Sequence, residues 1–85
     1  MQIEDAANGP VKRSITIAGH ETSISLEPIF WDGLRRAASE LGLPVNALVA
    51  RIDADRIARR NPGNLASAVR VWLYARIIEN NSQQS

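Results

Sequence analysis

The chain has 85 residues, carries a formal net charge of +1 and contains no cysteine. This length allows one small domain, and the missing cysteines exclude disulfides and thiolate metal sites. A chain this short buries only about 60–65% of its unfolded surface, so the hydrophobic fraction of 45% predicts apolar surface that a second subunit covers.

The first ten residues, 1–10, are polar and end in Asn-Gly-Pro, which predicts a disordered arm. They lack the basic, apolar and small-residue order of a signal peptide. No apolar run along the chain approaches the roughly 18 residues of a membrane span. We therefore expect a cytoplasmic protein that has no membrane partner.

Two alternating runs predict a β-hairpin near the N-terminus. The first, Val11–Ile17, alternates and is rich in β-branched residues, which favours a strand. Residues 18–21 are expected to form the turn, because the glycine among them is free to adopt a positive φ. Residues 22–26 alternate again, and the outward positions of this second strand are serines: Ser23 and Ser25.

Three helices are predicted to follow. The first begins at Pro28, because proline at the first helical position has its φ preset, and it ends at Gly42 as a left-handed cap. The second begins after Pro44, with Asn46 as the expected N-cap, because its side-chain oxygen can accept a first-turn amide. The third is capped by Asn64 and is apolar over a wide arc, which indicates contact with more than one neighbour. A polar, disordered tail is predicted for residues 80–85.

The residues offer no case for an enzyme, a metal or a cofactor. His20 is the only histidine and falls in the predicted turn, where a solvated role is expected. Glu27 and Asp32 are five residues apart and do not share a helical face, so they are no acid–base pair. No glycine-rich phosphate loop or cluster of metal ligands is present. Trp31 and Trp72 fall in apolar helical patterns, which predicts core packing rather than stacking on bases.

The strand with outward serines indicates a surface that binds nucleic acid. A strand with unpaired edges is normally covered, and pairing it with its copy in a second subunit makes a two-stranded antiparallel ribbon. Such a ribbon fits a DNA major groove, where serine hydroxyls reach base edges as donors or acceptors. From residue 11 to residue 76, ten Lys and Arg face six Asp and Glu, a net charge of +4, which favours an anionic partner.

The start of the second helix is a further candidate for phosphate binding. The opening amides at Ala47 and Leu48, behind Asn46, would offer a positive helix end to a phosphate. The arginine pairs at residues 35–36 and 59–60 fit either phosphate contacts or a solvated surface.

The stretch from residue 22 to residue 52 resembles a ribbon-helix-helix domain, the fold of the Arc- and MetJ-type repressors. The resemblance lies in the alternating strand, the first helical stripe, the Gly42-Leu43 turn, Asn46 as a cap and the Leu48-Val49 core pair. More narrowly, a short bacterial subgroup with a preceding strand and an added C-terminal helix is similar to three segments: RSITIAGHETSISLEPIFWDGL, NALVARID and NLASAVRVWL.

The resemblance implies a mainly α fold with a short β-ribbon, in which residues 11–79 form an intertwined homodimer with an N-terminal hairpin and a third, C-terminal helix. It implies a repressor-like transcriptional regulator that binds operator DNA through the ribbon. The base-contact candidates are Ser23, Ser25 and Glu21. The phosphate-contact candidates are Lys12, Arg13, Thr16, Asn46, Ala47 and Leu48. The dimer core candidates are Ile24, Leu26, Trp31, Leu34, Ala38, Leu41, Leu48, Val49 and Ile52.

Two alternatives to a reading ribbon stay open at this point. One is a helix-turn-helix in which the second helix enters the groove, although its outer face has mixed charge: Arg51, Asp53, Asp55 and Arg56. The other is a protein-interaction or assembly module, such as an antitoxin-like adaptor, favoured by the weak net charge, by Glu21 and by the apolar third helix. The expected partners are the chain itself, as a dimer or tetramer, double-stranded DNA or another protein. The first strand would either support the ribbon or block its access to the groove.

Overall fold

The computed structural model describes residues 9–60 and 63–83 as a β-hairpin followed by three helices. The strands are β1 (Val11–Ile17) and β2 (His20–Leu26), and the helices are α1 (Pro28–Leu41), α2 (Val45–Ala58) and α3 (Leu65–Gln83). This order confirms the predicted fold class, while residues 1–8 of the predicted arm lie outside the described ranges. Within those ranges, no helix has the length and apolar character needed to cross a membrane.

The hairpin turn is shorter than the sequence predicted. Ala18 and Gly19 both have positive φ, 52° and 81°, which is the geometry of a two-residue turn whose twist matches that of the flanking strands. Because these two residues reverse the chain alone, His20 and Glu21 continue β2 and pair with β1. The predicted four-residue turn is therefore wrong, and His20 lies in a strand.

The predicted limits of α1 are confirmed. Pro28 occupies the first helical turn, and Gly42 ends the helix with a φ of 69°. The amide of Leu43 then donates to the carbonyl of Ala38 at 2.9 Å, which satisfies one of the last carbonyls of the helix.

Helix α2 starts after Pro44, as predicted, but its predicted N-cap is wrong by two residues. Pro44 is the N-cap residue, with φ −63° and ψ 153°, and the helix opens at Val45 without a side-chain cap. Proline presets the extended conformation that an N-cap residue needs. Asn46 therefore lies inside the first turn instead of capping it.

Helix α3 begins as predicted and ends later. The side-chain oxygen of Asn64 accepts a hydrogen bond from the amide of Ser67 at 2.7 Å, which confirms the cap. The helix continues to Gln83, so the tail predicted from residue 80 is wrong for residues 80–83, and residues 84–85 lie outside the described ranges. No glycine or proline follows Glu79, and polar side chains alone do not end a helix.

One protomer buries nearly all of the predicted dimer core. The helices cover the inward face of the hairpin, and the buried residues are Ile15, Ile24, Leu26, Trp31, Leu34, Ala37, Ala38, Leu48, Val49, Ile52, Val69 and Leu73. Of the predicted core, Leu41 stays 39% exposed. Ile15 of β1, with Val69 and Leu73 of α3, supplies apolar surface that the sequence assigned to a second subunit. The intertwined dimer stays a prediction.

Candidate nucleic-acid interface

The outward face of the hairpin is polar along its whole length. Opposed residues of an antiparallel pair point to the same side of the sheet, so the strand register defines this face. Its members are three opposed pairs: Lys12–Ser25, Ser14–Ser23 and Thr16–Glu21. All six side chains are exposed. We call these six residues the outward hairpin face.

The hairpin forms within one chain the two-stranded ribbon that the sequence assigned to two chains. Strands in a sheet lie about 4.8 Å apart, and a two-stranded ribbon of this kind enters a major groove about 12 Å wide. The predicted base-contact residues Ser23, Ser25 and Glu21 all lie on the outward hairpin face. Ser14 lies directly opposite Ser23, and the alternation of β1 is the signal from which it could have been added to the candidates.

Charge on the outward hairpin face is balanced. Lys12 belongs to the outward pair near the start of β1, and Glu21 belongs to the outward pair nearest the turn. The other four residues are hydroxyls that donate or accept hydrogen bonds. The face therefore offers directional hydrogen bonding more than a strong positive field.

Arg13 lies on the opposite side of the hairpin from Lys12 and Thr16. It is paired across the strands with the buried Ile24, and its guanidinium lies 5.7 Å from the ring centroid of Trp31. The indole N–H of Trp31 donates to the carbonyl of Val11 at 2.9 Å. The structure thus confirms Trp31 as a core residue and separates Arg13 from the two candidates with which the sequence grouped it.

At the start of α2, the backbone amides that are free to bind a phosphate differ from those predicted. Because the helix opens at Val45, the amides without a partner inside the helix belong to Val45, Asn46 and Ala47. The amide of Leu48 already donates to the carbonyl of Pro44 at 3.1 Å, and the Leu48 side chain is buried. Leu48 therefore lacks the free amide that the sequence expected of it, and the amides without a helical partner begin at Val45.

Ion pairs neutralise half of the basic residues. The pairs are Arg35–Asp32, Arg56–Asp53, Arg59–Asp55, Arg70–Glu27 and Arg76–Glu40. Within residues 9–60 and 63–83, five basic side chains have no carboxylate partner: Lys12, Arg13, Arg36, Arg51 and Arg60. Of the paired arginines, Arg56 lies on α2 and Arg59 caps its C-terminal end. This leaves α2 a poor recognition helix and weakens the helix-turn-helix alternative.

The pair between Glu27 and Arg70 fixes α3 against the start of α1. The Arg70 Nε donates to Glu27 Oε1 at 3.0 Å across 43 residues of sequence, and the guanidinium also lies 5.7 Å from the ring centroid of Phe30. A backbone amide hydrogen bond and then the Arg70 side chain lower the pKa of the Glu27 carboxyl from its ordinary value of 4.5. This carboxylate stays ionised at neutral pH and serves the fold.

A groove runs between α2 and α3, away from the hairpin. It encloses about 420 Å³, and its lining includes Ile52, Val71, Trp72 and Ala75, with Asp55 and Arg59 among its polar residues. Trp72 is partly buried and packs against the core. Among the residues that the structure describes, no group of three side chains suited to metal binding occurs.

Comparison with known proteins agrees with this architecture. A family model described as a ribbon-helix-helix domain matches residues 10–77. The solved structure of an uncharacterized protein from Bordetella pertussis Tohama I is 26% identical, with a TM-score of 0.80, and the match covers 99% of this chain and 67% of that one. The comparison with curated proteins returned no match. With four-fifths of its length covered by the family model, the chain belongs to the ribbon-helix-helix domain family.

Proposed function

We propose that the protein is a DNA-binding transcriptional regulator whose reading element is the outward hairpin face. The observation that carries the proposal is the register of the hairpin, which places six exposed polar side chains on one side of a two-stranded ribbon. The ribbon-helix-helix family in general comprises DNA-binding regulators and antitoxins, which is consistent with this role. The protein would act in the cytoplasm as a homodimer, so that two hairpins read two half-sites.

The width of the sheet favours the hairpin of a single protomer as the reader. One edge of β2 pairs with β1, so pairing the other edge with a second β2 would make a sheet of four strands. With strands about 4.8 Å apart, the axes of the outer strands would be about 14 Å apart, which exceeds the roughly 12 Å width of the major groove. A two-stranded hairpin has no such conflict.

The side chains suggest how DNA would be read. Serine and threonine hydroxyls hydrogen-bond to several base edges, so Ser14, Ser23 and Ser25 do not define a base by themselves. Glu21 accepts a hydrogen bond from the N4 amino group of cytosine, whereas Lys12 donates to guanine or to a phosphate. We therefore expect a target with a defined C·G pair near the tip of the hairpin and less discrimination along its middle.

The test combines selection of bound sequences from random DNA with serine variants on both strands. Ser14→Ala on β1 and Ser23→Ala on β2 should each weaken binding to the selected site by about 1 kcal/mol, or roughly fivefold, for one lost hydrogen bond. Ser39→Ala is the matched control, because Ser39 is an exposed serine on α1. If Ser23→Ala weakens binding and Ser14→Ala does not, β2 alone reads DNA; if neither does, the outward hairpin face is not the reader.

A second candidate function, a protein-interaction module of the antitoxin-like kind, is favoured by one observation. Lys12 and Glu21 cancel each other on the outward hairpin face, and five of the basic residues are ion-paired elsewhere. Salt dependence separates the two functions, because each phosphate contact contributes a slope of about −0.9 to log affinity against log salt. A DNA regulator with two copies of Lys12 at phosphates should show a slope of about −2 or steeper, whereas a flat response favours the interaction module.

A further inference from the structure

A side chain from α1 closes the open end of the hairpin. β2 leads into α1 through Glu27, whose carbonyl accepts hydrogen bonds from the amides of Phe30 and Trp31 at 2.9 and 3.1 Å. From this first part of the helix, the buried indole of Trp31 reaches back to β1, and its N–H group donates to the carbonyl of Val11 at 2.9 Å. Trp31 therefore joins the first residue of β1 to the helix that follows β2.

The first half of β1 has few other contacts that hold it. Residues 11–14 are all exposed, and the first buried residue of the strand is Ile15. Among the residues that the structure describes, Trp31 makes the only side-chain hydrogen bond to this strand. A two-stranded hairpin without packing is barely stable in water, so residues 11–14 depend on Trp31 for a fixed position.

Trp31 holds the strand on both sides of Lys12. Besides the hydrogen bond at Val11, the Arg13 guanidinium lies 5.7 Å from the Trp31 ring centroid. Because side chains alternate along a strand, Arg13 faces inward toward the ring, whereas Lys12, which lies between the two contacts, points outward. Contacts at residues 11 and 13 thus fix both the position and the direction of Lys12.

We propose that Trp31 is a positioning residue for DNA binding, which holds Lys12 in the orientation that contacts a phosphate without itself touching DNA. This inference rests on the proposed function, in which the outward hairpin face reads DNA, and names what keeps the first strand of that ribbon in place. A side chain that is ordered in advance loses little freedom on binding. Because Trp31 is 3% exposed, the core supplies this order before DNA binds.

DNA binding alone would not restore this order. Without the Trp31 N–H group, the backbone of residues 11–14 would have to be ordered at the moment when DNA binds. Ordering several residues costs more free energy than one exposed contact between a lysine and a phosphate returns. Loss of the indole N–H group therefore removes the Lys12 contact, and the Ser14 hydroxyl on the same part of β1 is lost with it.

The salt dependence of DNA binding is the decisive readout, because a loss of stability alone does not change the number of phosphate contacts. Each contact contributes about −0.9 to the slope of log affinity against log salt, so Lys12→Met in a homodimer should make the slope shallower by about 1.8. Trp31→Phe should make it shallower by the same amount, and adding Lys12→Met to Trp31→Phe should change it no further. The control Trp72→Phe should keep the natural slope, because Trp72 lies on α3 beside the groove between α2 and α3.

A second variant covers the case in which Trp31→Phe does not fold. Replacing Trp31 with 3-benzothienylalanine keeps the size and shape of the indole ring and puts sulfur in place of the N–H group. This variant should show the same shallower slope. Without DNA, its backbone amides at residues 12–14 should exchange hydrogen about fivefold faster than those of the natural protein, while exchange at residues 15–17 changes little.

The outcomes separate this inference from the proposed function. A natural protein that does not bind DNA, or whose binding is independent of salt, would refute the reading hairpin before any variant is compared. If the natural protein binds DNA and both Trp31 variants keep its slope, DNA reading stands and the positioning role of Trp31 is overturned. An unchanged slope in Lys12→Met would also overturn it, because Lys12 would then contact no phosphate. Faster exchange along the whole hairpin with the natural slope would show that Trp31 serves stability alone.

Discussion

Replacing Trp31 with phenylalanine tests whether β1 is held in place by its own chain. Trp31 is 3% exposed, its indole N–H donates to the carbonyl of Val11 at 2.9 Å, and the Arg13 guanidinium lies 5.7 Å from its ring centroid. Trp31→Phe keeps an aromatic ring in the site and removes the N–H group with part of the ring. It therefore weakens the link between α1 and β1 without introducing a polar group.

The expected loss of stability is the sum of three effects. The hydrogen bond contributes about 1 kcal/mol, and weakening the exposed cation–π contact costs up to about 0.5 kcal/mol. The smaller ring leaves a cavity and buries less apolar surface, which costs about 1 kcal/mol. The free energy of unfolding should therefore fall by about 2–2.5 kcal/mol, which lowers Tm by roughly 8–20 °C in a domain of this size.

Trp72→Phe is the matched control for this experiment. The Arg76 guanidinium lies 5.7 Å from the Trp72 ring centroid, as Arg13 does from Trp31. The Trp72 indole N–H, however, has no hydrogen-bond acceptor among the described residues, and the ring is only partly buried. We expect a loss below about 1 kcal/mol, measured by calorimetry or far-UV circular dichroism. Equal losses in the two variants would refute the conclusion that the Trp31–Val11 bond anchors the hairpin.

Two further predictions concern the ends of the helices. Asn64→Ala removes the oxygen that accepts a hydrogen bond from the Ser67 amide, so thermal unfolding should show a loss of stability of about 1 kcal/mol. The control Asn81→Ala, on the exposed side of α3, should change the stability little. Equal stabilities of the two variants would show that the cap contributes nothing. Glu27→Gln should destabilise the protein at neutral pH. Because the pKa of Glu27 is lowered from 4.5, its ionised form adds stability that is complete above that value and is lost as the pH falls through the lower folded-state pKa. Urea unfolding of both proteins from pH 7 to pH 3 should show the difference disappearing, and a difference independent of pH would contradict this assignment.

Local signals in the sequence predicted most element limits correctly. Pro28, Gly42 and Asn64 act through their own backbone conformation or side chain, and all three are confirmed in the roles assigned to them. The alternation in β1 likewise predicts a strand from Val11 to Ile17. At the start of α2 the N-cap is Pro44 and not Asn46, although asparagine is the commoner cap residue.

Local patterns in the sequence did not predict which chain covers the apolar sides of the strands and helices. Alternation and helical spacing show which side of an element is apolar, but they do not show which chain covers that side. Ile15, Val69 and Leu73 cover it within one protomer, so the burial of Leu26 and Leu34 does not require a second subunit. The alternation of β1 does place Arg13 on the side opposite Lys12 and Thr16, and only its contact with Trp31 lies beyond local patterns.

The sequence predicted some, but not all, of the residues that share the outward hairpin face. Ser23 and Ser25 share one exposed face, as the alternation of β2 required. The sequence also predicted the hairpin that pairs β2 with β1, and this pairing adds Ser14 beside Lys12 and Thr16 on the same face. Glu21 joins that face because the turn has only two residues and β2 begins at His20.

DNA reading by the hairpin is tested most directly by titrating ¹⁵N-labelled protein with its selected DNA and following the NMR chemical shifts of the backbone amides. We expect the largest shifts in both strands of the outward hairpin face, from Lys12 to Thr16 and from Glu21 to Ser25, and at the start of α2. Residues of α3 should shift little. Shifts confined to α2 or α3, or shifts in β2 without β1, would contradict the proposal that the hairpin of one protomer reads DNA.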